Sequence, residues 1–205
     1  MAPGRREGWA ARREMDARGP RAVALSVAAI ALLSLTACGD AAGPSASLLP
    51  RNTVVPVSVV TKYFPEITKE ASTGSNETSV GRPIASRSVV FASADGKKEV
   101  TVSVDQYASA SDAAAAYQTA VQGSKAAPGF NPAATPNLGQ EAFAGTSQVG
   151  AEMHFGLGAR DGRLIMSATH AGDIPVTPDN SNNLISLGGE ELTTAKQVLG
   201  PSGSS

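Results

Sequence analysis

The chain has 205 residues, a formal net charge of −1 and a single cysteine. This length allows one domain, or one domain with tails at its ends. A single cysteine excludes a disulfide within the chain, so the domain must be held together by its core alone. A charge so close to neutral also argues against a nucleic-acid partner, which requires a basic surface.

The N-terminal region has the three parts of a secretory signal peptide. Six arginines precede an apolar segment at residues 22–35, and small residues follow it. The segment is short for a transmembrane helix, which needs about 20 residues. We therefore assign residues 1–37 to a cleaved leader. Its removal leaves eleven basic and fifteen acidic side chains, a balance that disfavours nucleic acid and anionic lipid headgroups as partners.

The leader ends in Leu35, Thr36, Ala37 and Cys38, a sequence that resembles the bacterial lipobox. The resemblance implies that a signal peptidase recognises the first three residues and cleaves before Cys38. It also implies a diacylglyceryl group on the Cys38 sulfur, and acylation of the freed amine. Two or more acyl chains are enough for stable attachment, here to the outer face of the cytoplasmic membrane. The alternative is an ordinary signal peptide with a chance cysteine.

The rest of the chain divides into three parts. Residues 38–52 comprise Cys38 and a segment rich in Gly, Ala, Ser and Pro, which predicts a flexible tether. Residues 53–200 predict a single domain, and residues 201–205 predict a disordered tail. A domain of about 150 residues can bury roughly two-thirds of its unfolded surface in one core.

The first half of the domain predicts a helix and a hairpin. Apolar spacing over residues 57–63 indicates a short helix that Pro65 closes. Residues 72–83 predict a loop. Strands at 87–91 and 100–104 are joined across Asp95-Gly96, a strong hairpin signal. This turn predicts that Phe91 faces Val100 and that Val89 faces Val102.

The second half begins with an alanine-rich helix, which Ser111 is predicted to cap and Gly123 to end. A strand at residues 141–146 follows. Strands at 150–159 and 163–170 then form a second hairpin.

The turn of this second hairpin is assigned to Asp161-Gly162. It predicts that Phe155 faces Ala168 and that Leu157 faces Met166. Residues 172–183 predict a loop, and residues 190–199 predict a closing helix.

These signals predict an α+β fold with the order α-β-β-α-β-β-β-α. We expect a mostly antiparallel sheet of about five strands, covered on one face by two or three helices and open to solvent on the other. The open face would carry small and polar side chains that could receive a ligand, namely Ser88, Thr101, Ser103, His154, Ser167 and Thr169. An ordinary solvated face is the alternative interpretation.

The sequence offers little catalytic or metal-binding chemistry. In the predicted register His154 faces Thr169 and His170 faces Met153, so the imidazoles point to opposite faces and cannot share a metal. The glycine-rich segment 156–162 runs from strand to strand, so no helix N-terminus is available for a phosphate. No G-x-S-x-G motif is present. We expect no metal, no cofactor and no enzyme activity.

Residues 138–143 (LGQEAF), the hairpin after them and the helix at 190–199 resemble small actinobacterial lipoproteins and extracytoplasmic sensor domains. The resemblance implies non-catalytic binding or sensing outside the cytoplasm. The first hypothesis is therefore a membrane-tethered domain that binds a small ligand. The second is an adaptor or chaperone-like protein that binds another envelope protein, and the third is a hydrolase.

Overall fold

The computed structural model describes residues 46–76, 79–150 and 152–200. The predicted leader, Cys38 with the lipobox residues Leu35, Thr36 and Ala37, and the predicted tail lie outside these residues. So does most of the predicted tether.

The described residues form one sheet and three α-helices. The helices are α1 (Val57–Tyr63), α2 (Ala110–Ala126) and α3 (Pro178–Leu199), and a short 3-10 helix spans Arg51–Thr53. None of the helices in this part of the chain is long and apolar enough to cross a membrane. The strands are β1 (Ser47–Leu48), β2 (Ile67–Gly74), β3 (Ala85–Ser93), β4 (Lys98–Gln106), β5 (Asn131–Pro132), β6 (Glu141–Val149), β7 (Glu152–Asp161) and β8 (Leu164–Gly172).

The sheet is mostly antiparallel, and its strand order is β1-β3-β4-β8-β7-β6-β5. Among the strands of the described ranges only the β1–β3 pair is parallel, and β2 pairs with β3 as well. Tight turns join β3 to β4 and β7 to β8, which allows each of these pairs to run antiparallel. The predicted α+β class is therefore confirmed, with eight strands in the described residues rather than about five.

Three strands are absent from the predicted order. β2 lies partly in the segment predicted as the 72–83 loop. Its apolar and polar residues do not alternate regularly enough to predict a strand. β1 lies in the predicted tether, where Ser47 and Leu48 pair with β3 and Leu49 is buried in the core. The domain thus begins before residue 53. β1 and β5 are only two residues long, and pairs that short leave no periodic signal in a sequence.

The first hairpin has the predicted register. Phe91 pairs with Val100 and Val89 pairs with Val102. Gly96 takes a positive φ of 72° in the turn, which glycine adopts without a steric cost.

The second hairpin is shifted by two residues from the prediction. Phe155 pairs with His170, not with Ala168, and Leu157 pairs with Ala168. Asp161 remains in β7 opposite Leu164, where its carboxylate pairs with Lys196 on α3. Because side chains alternate with a period of two, a shift of two keeps every residue on its predicted face.

Two helices are longer than predicted. Ser109 rather than Ser111 caps α2, since its side chain accepts a hydrogen bond from the Asp112 N–H. α2 also continues through Gly123 to Ala126. α1 has its predicted bounds.

α3 begins at Pro178, in the segment predicted as a loop, and continues through Gly188 and Gly189 to Leu199. A Cβ at Gly188 would lie 3.0 Å from Met166 Cε and 3.1 Å from Leu157. The missing side chain lets α3 approach the sheet closely, so packing outweighs the low helix propensity of glycine.

The two faces of the sheet are covered by different helices. α1 and α3 bury the apolar face, where Phe91, Val102, Leu157 and Met166 join the main core. α2 lies on the other face: its Ala113 and Ala116 cluster with Tyr107 and Ile165. The expectation that one face is open to solvent is therefore wrong.

Glu191 is a fully buried carboxyl on α3. Its Oε2 accepts a hydrogen bond of 2.8 Å from the Val55 N–H, and its Oε1 has no hydrogen-bond partner among the described residues. Burial raises the pKa of Glu191 to about 8, despite the opposing hydrogen bond from Val55. The folded state therefore holds the Glu191 proton at pH values where the unfolded chain releases it.

Glu191→Gln should reduce a loss of stability that the native chain shows as pH rises. Because the pKa is raised on folding, the free energy of unfolding falls as pH rises from about 4.5 through 8. Urea unfolding at pH 7 and pH 9 should show this fall in full in the native chain and in the control Glu190→Gln, and a smaller fall in Glu191→Gln, where Asp105 still has a raised pKa. An equal fall in all three would contradict the assignment.

Candidate functional site

The six side chains predicted to form a ligand face lie on one side of the sheet. Ser88, Ser103 and Ser167 are paired in one row across β3, β4 and β8. Thr101 and Thr169 are paired in the next row. His154 belongs to the same face of β7, opposite Ser147 on β6.

This face is largely covered. Ser103, Thr169 and His154 are buried, while Ser88, Thr101 and Ser167 are half-buried. The Ser103 hydroxyl donates a hydrogen bond of 2.9 Å to the Ser88 hydroxyl, so their polar groups bind each other. A ligand role for these residues stays a prediction.

A buried carboxylate holds a loop beside the serine row. Asp105 Oδ1 accepts from the Ser79 hydroxyl at 2.7 Å, and its Oδ2 accepts from Asn76 Nδ2 at 3.0 Å. Burial raises the pKa of Asp105 to about 7, although both hydrogen bonds oppose this change. The loop between β2 and β3 is thereby attached to the same sheet face.

The two histidines lie on opposite faces. His170 pairs with Phe155 and stacks on its ring at a centroid distance of 6.0 Å, whereas His154 is the preceding residue along β7 and points the other way. Burial lowers the pKa of His170 to about 4. His154 Nε2 lies 3.4 Å from Glu152 Oε2. In the described residues no three His, Cys, Asp or Glu side chains are placed to hold a metal.

Glycines make room for aromatic rings beneath α2. A Cβ at Gly158 would lie 2.6 Å from Cε1 of Phe143, and one at Gly145 would lie 2.7 Å from Cε2 of Phe130. Both rings therefore rest directly on the sheet backbone. Phe143 also contacts Tyr117 of α2 edge-on, at a centroid distance of 5.8 Å. The glycine-rich segment of β7 is thus a packing surface and not a phosphate loop.

A cleft of about 540 Å³ lies between α2, the segment 130–140 and the outer edge of β6. We call it the α2–β6 cleft. Tyr117 and Val121 form its buried floor, with Phe130 and Phe143 half-buried beside them. This volume lies within the range of about 300–1,000 Å³ that holds small ligands.

Polar side chains surround this apolar floor. Glu141 accepts hydrogen bonds from Arg160 Nε at 2.6 Å and from Gln118 Nε2 at 3.1 Å, which links β6, β7 and α2. Burial, and then the nearby Glu141 carboxylate, raise the pKa of Tyr117 to about 12, so its hydroxyl is a donor at neutral pH. Exposed side chains at the rim can also donate or accept hydrogen bonds, namely Gln118, Lys125, Thr135, Asn137 and Gln140.

A smaller cavity of about 400 Å³ lies on the apolar side of the sheet. Its walls are mainly aliphatic, and Arg51 and Glu70 form an ion pair of 2.8 Å at its rim. It has fewer polar groups with which to orient a ligand, so the α2–β6 cleft is the stronger candidate.

A pocket between the sheet and the Pro-rich loop at 124–137 was the feature expected to favour ligand binding, but none of the cleft residues was predicted as a site. Tyr117 and Phe143 are 26 positions apart, and no local motif connects them. The only available signals were the Pro-rich segment before β6 and the glycines spaced by two in β7, which mark a close backbone approach.

Gly158→Ala should force the Phe143 ring away from the sheet. Overpacking of this kind costs about 1–3 kcal/mol of unfolding free energy. The matched control is Gly74→Ala, because a Cβ at this strand glycine meets nothing within 4 Å. Urea unfolding measures the cost, and near-ultraviolet circular dichroism reports the displaced Tyr117–Phe143 contact. Equal effects of the two variants would refute the packing role of Gly158.

This chain has only limited similarity to known proteins. No protein-family model matches this chain, and its sequence matches no curated protein. The crystal structure of the extracellular domain of PknH from Mycobacterium tuberculosis is similar with a TM-score of 0.47 and 8% identity, over 69% of this chain and 93% of that one. LpqN of the same organism, involved in cell envelope biogenesis, gives a TM-score of 0.30 and 15% identity, over 59% and 75% of the two chains. At these scores the likeness is confined to part of the arrangement of helices and strands.

Proposed function

We propose that this chain is an exported lipoprotein whose domain binds a small ligand outside the cytoplasm without transforming it. In this proposal a lipid on Cys38 holds the chain at the outer face of the cytoplasmic membrane. The leader at residues 1–37 and its lipobox-like end support export and attachment to the membrane. The α2–β6 cleft supports the binding role.

The observation that carries the binding role is the chemistry of the cleft. Tyr117, Phe130 and Phe143 provide apolar and aromatic surface, and the rim provides amides, a hydroxyl and a lysine. An apolar floor bordered by many hydrogen-bonding side chains can orient a ligand by hydrogen bonds. The ligand that fits this lining has an apolar or planar body with polar groups at its edge.

The second candidate function, an adaptor for another envelope protein, has its own support in the cleft. The Ala144 carbonyl accepts a hydrogen bond from the Ala133 N–H on the outer side of β6. Alternate residues of a strand point their backbone groups the same way, so the Ala142 N–H and carbonyl also point outward. Among the described residues no backbone group pairs with Ala142 on that side. A peptide strand from a partner could pair there.

Cys38→Ser should abolish lipid attachment. The native chain, expressed in a lipoprotein-processing host, should lose residues 1–37, gain the mass of acyl groups and partition into detergent. The variant should remain an unprocessed precursor without lipid. Ala41→Ser, just beyond the lipobox, should behave as the native chain. Unchanged size, lipid content and partitioning of Cys38→Ser would refute the lipid anchor.

Ala133→Trp should block the cleft. Ala133 lines it, whereas the neighbouring Ala134 is exposed but does not, so Ala134→Trp is the matched control. Native mass spectrometry of chains isolated from the envelope should show a small adduct on the native chain and on Ala134→Trp, and none on Ala133→Trp. A whole protein bound in place of the small adduct would favour the adaptor. An adduct retained by Ala133→Trp would refute binding in the cleft.

A further inference from the structure

Leu48 and Ile84 form an exposed apolar corner at the end of the sheet where the chain enters the domain. Their exposed fractions are 53% and 49%. β1 runs parallel to β3 with Leu48 paired to Ser86, and the Ser47 N–H donates to the Ile84 carbonyl at 3.0 Å. Side chains at 84 and 86 share a face, so Leu48 and Ile84 are diagonal neighbours on one side of the sheet.

The position of this corner in the sheet sets it apart. The other large exposed apolar side chains among the described residues are Met153 and Val176. Met153 lies at the start of β7, three strands away from β3 in the sheet. Along the strand direction, it lies at the end of the sheet opposite to Ile84. Val176 follows β8 at that same opposite end. The paired apolar side chains thus occur where the N-terminal segment joins the fold.

The length of chain before this corner limits its distance from Cys38. Ala46 lies eight residues after Cys38, and eight residues span at most about 29 Å. A lipid on Cys38 would therefore keep the corner within that distance of the bilayer. A connection this short keeps the effective concentration of the corner at the bilayer high.

Tethering matters because the corner is small. Complete burial of one exposed aliphatic side chain contributes about 1.5–3 kcal/mol of binding free energy. About half of the surface of Leu48 and of Ile84 is already covered by the domain, so each can contribute only part of this amount. Two such side chains could not hold a free domain on a membrane. They suffice to orient a domain that the anchor already keeps at the surface. The chain after the leader is acidic, so the contact would depend on apolar side chains and not on charge.

We propose that the Leu48–Ile84 corner rests on the lipid surface and orients the domain there. This inference rests on the proposed lipid anchor. β1 and β6 are five strand positions apart in the sheet, which is about 24 Å at the usual strand spacing. The contact at the corner therefore lies several strands away from the α2–β6 cleft and does not occupy it.

Tryptophan fluorescence tests this contact. Trp9 is the only tryptophan of the chain, so Trp9→Phe gives a background in which Leu48→Trp supplies the sole tryptophan. Met153→Trp in the same background is the matched control. Each chain is placed on phosphatidylcholine vesicles that contain bromine-labelled acyl chains, through its own lipid if Cys38 carries one. If the thiol is free, Cys38 is coupled to a maleimide lipid instead, since it is the only cysteine.

We expect the emission of the Leu48→Trp chain to shift to shorter wavelength and to be quenched by the bromolipid, and that of the Met153→Trp chain to change little. Adding Ile84→Asp to the Leu48→Trp chain should reverse the wavelength shift and the quenching, provided that circular dichroism shows an intact fold.

Equal emission of the two chains on the vesicles would overturn the proposal. So would quenching of the Leu48→Trp chain that Ile84→Asp leaves unchanged, or burial of its tryptophan against a co-isolated protein. The mass of Cys38 separately reports whether the anchor exists.

Discussion

The structure depends on the period of two along its central strands, which gives the sheet two chemically different faces. On β3, β4, β7 and β8 one set of alternate residues is large and apolar, and α1 and α3 bury it. The other set is rich in glycine, serine and threonine. Because the chain cannot form an internal disulfide, burial of the apolar set must supply most of the stability.

The small-residue face determines where a cleft can form. Gly145 and Gly158 leave space at the sheet backbone, and Phe130 and Phe143 fill it. Phe143 supports α2 through Tyr117, and the volume left between α2 and the edge of β6 is the cleft. Glycines of β6 and β7 thereby build the candidate site.

Two buried carboxyl groups attach irregular segments to this framework. Glu191 holds the segment that leads into α1 through Val55, and Asp105 holds the loop between β2 and β3 through Ser79 and Asn76. Burial raises both pKa values, to about 8 and about 7. A protonated carboxyl is the form that a low-dielectric interior favours, so each of these two carboxyls contributes less to stability as pH rises through its folded-state pKa.

The sequence by itself determined what local chemistry encodes: the α+β class, the bounds of α1, the register about Asp95-Gly96 and the face of every residue in β7 and β8. It could not determine the shift of two residues in the second hairpin, because Asp161 stays in β7 beside Lys196 of α3. Nor could it show that α3 continues through Gly188, that β1 joins the sheet, or that Tyr117 meets Phe143. Those outcomes depend on contacts between residues far apart in the chain, and a sequence pattern records only near neighbours.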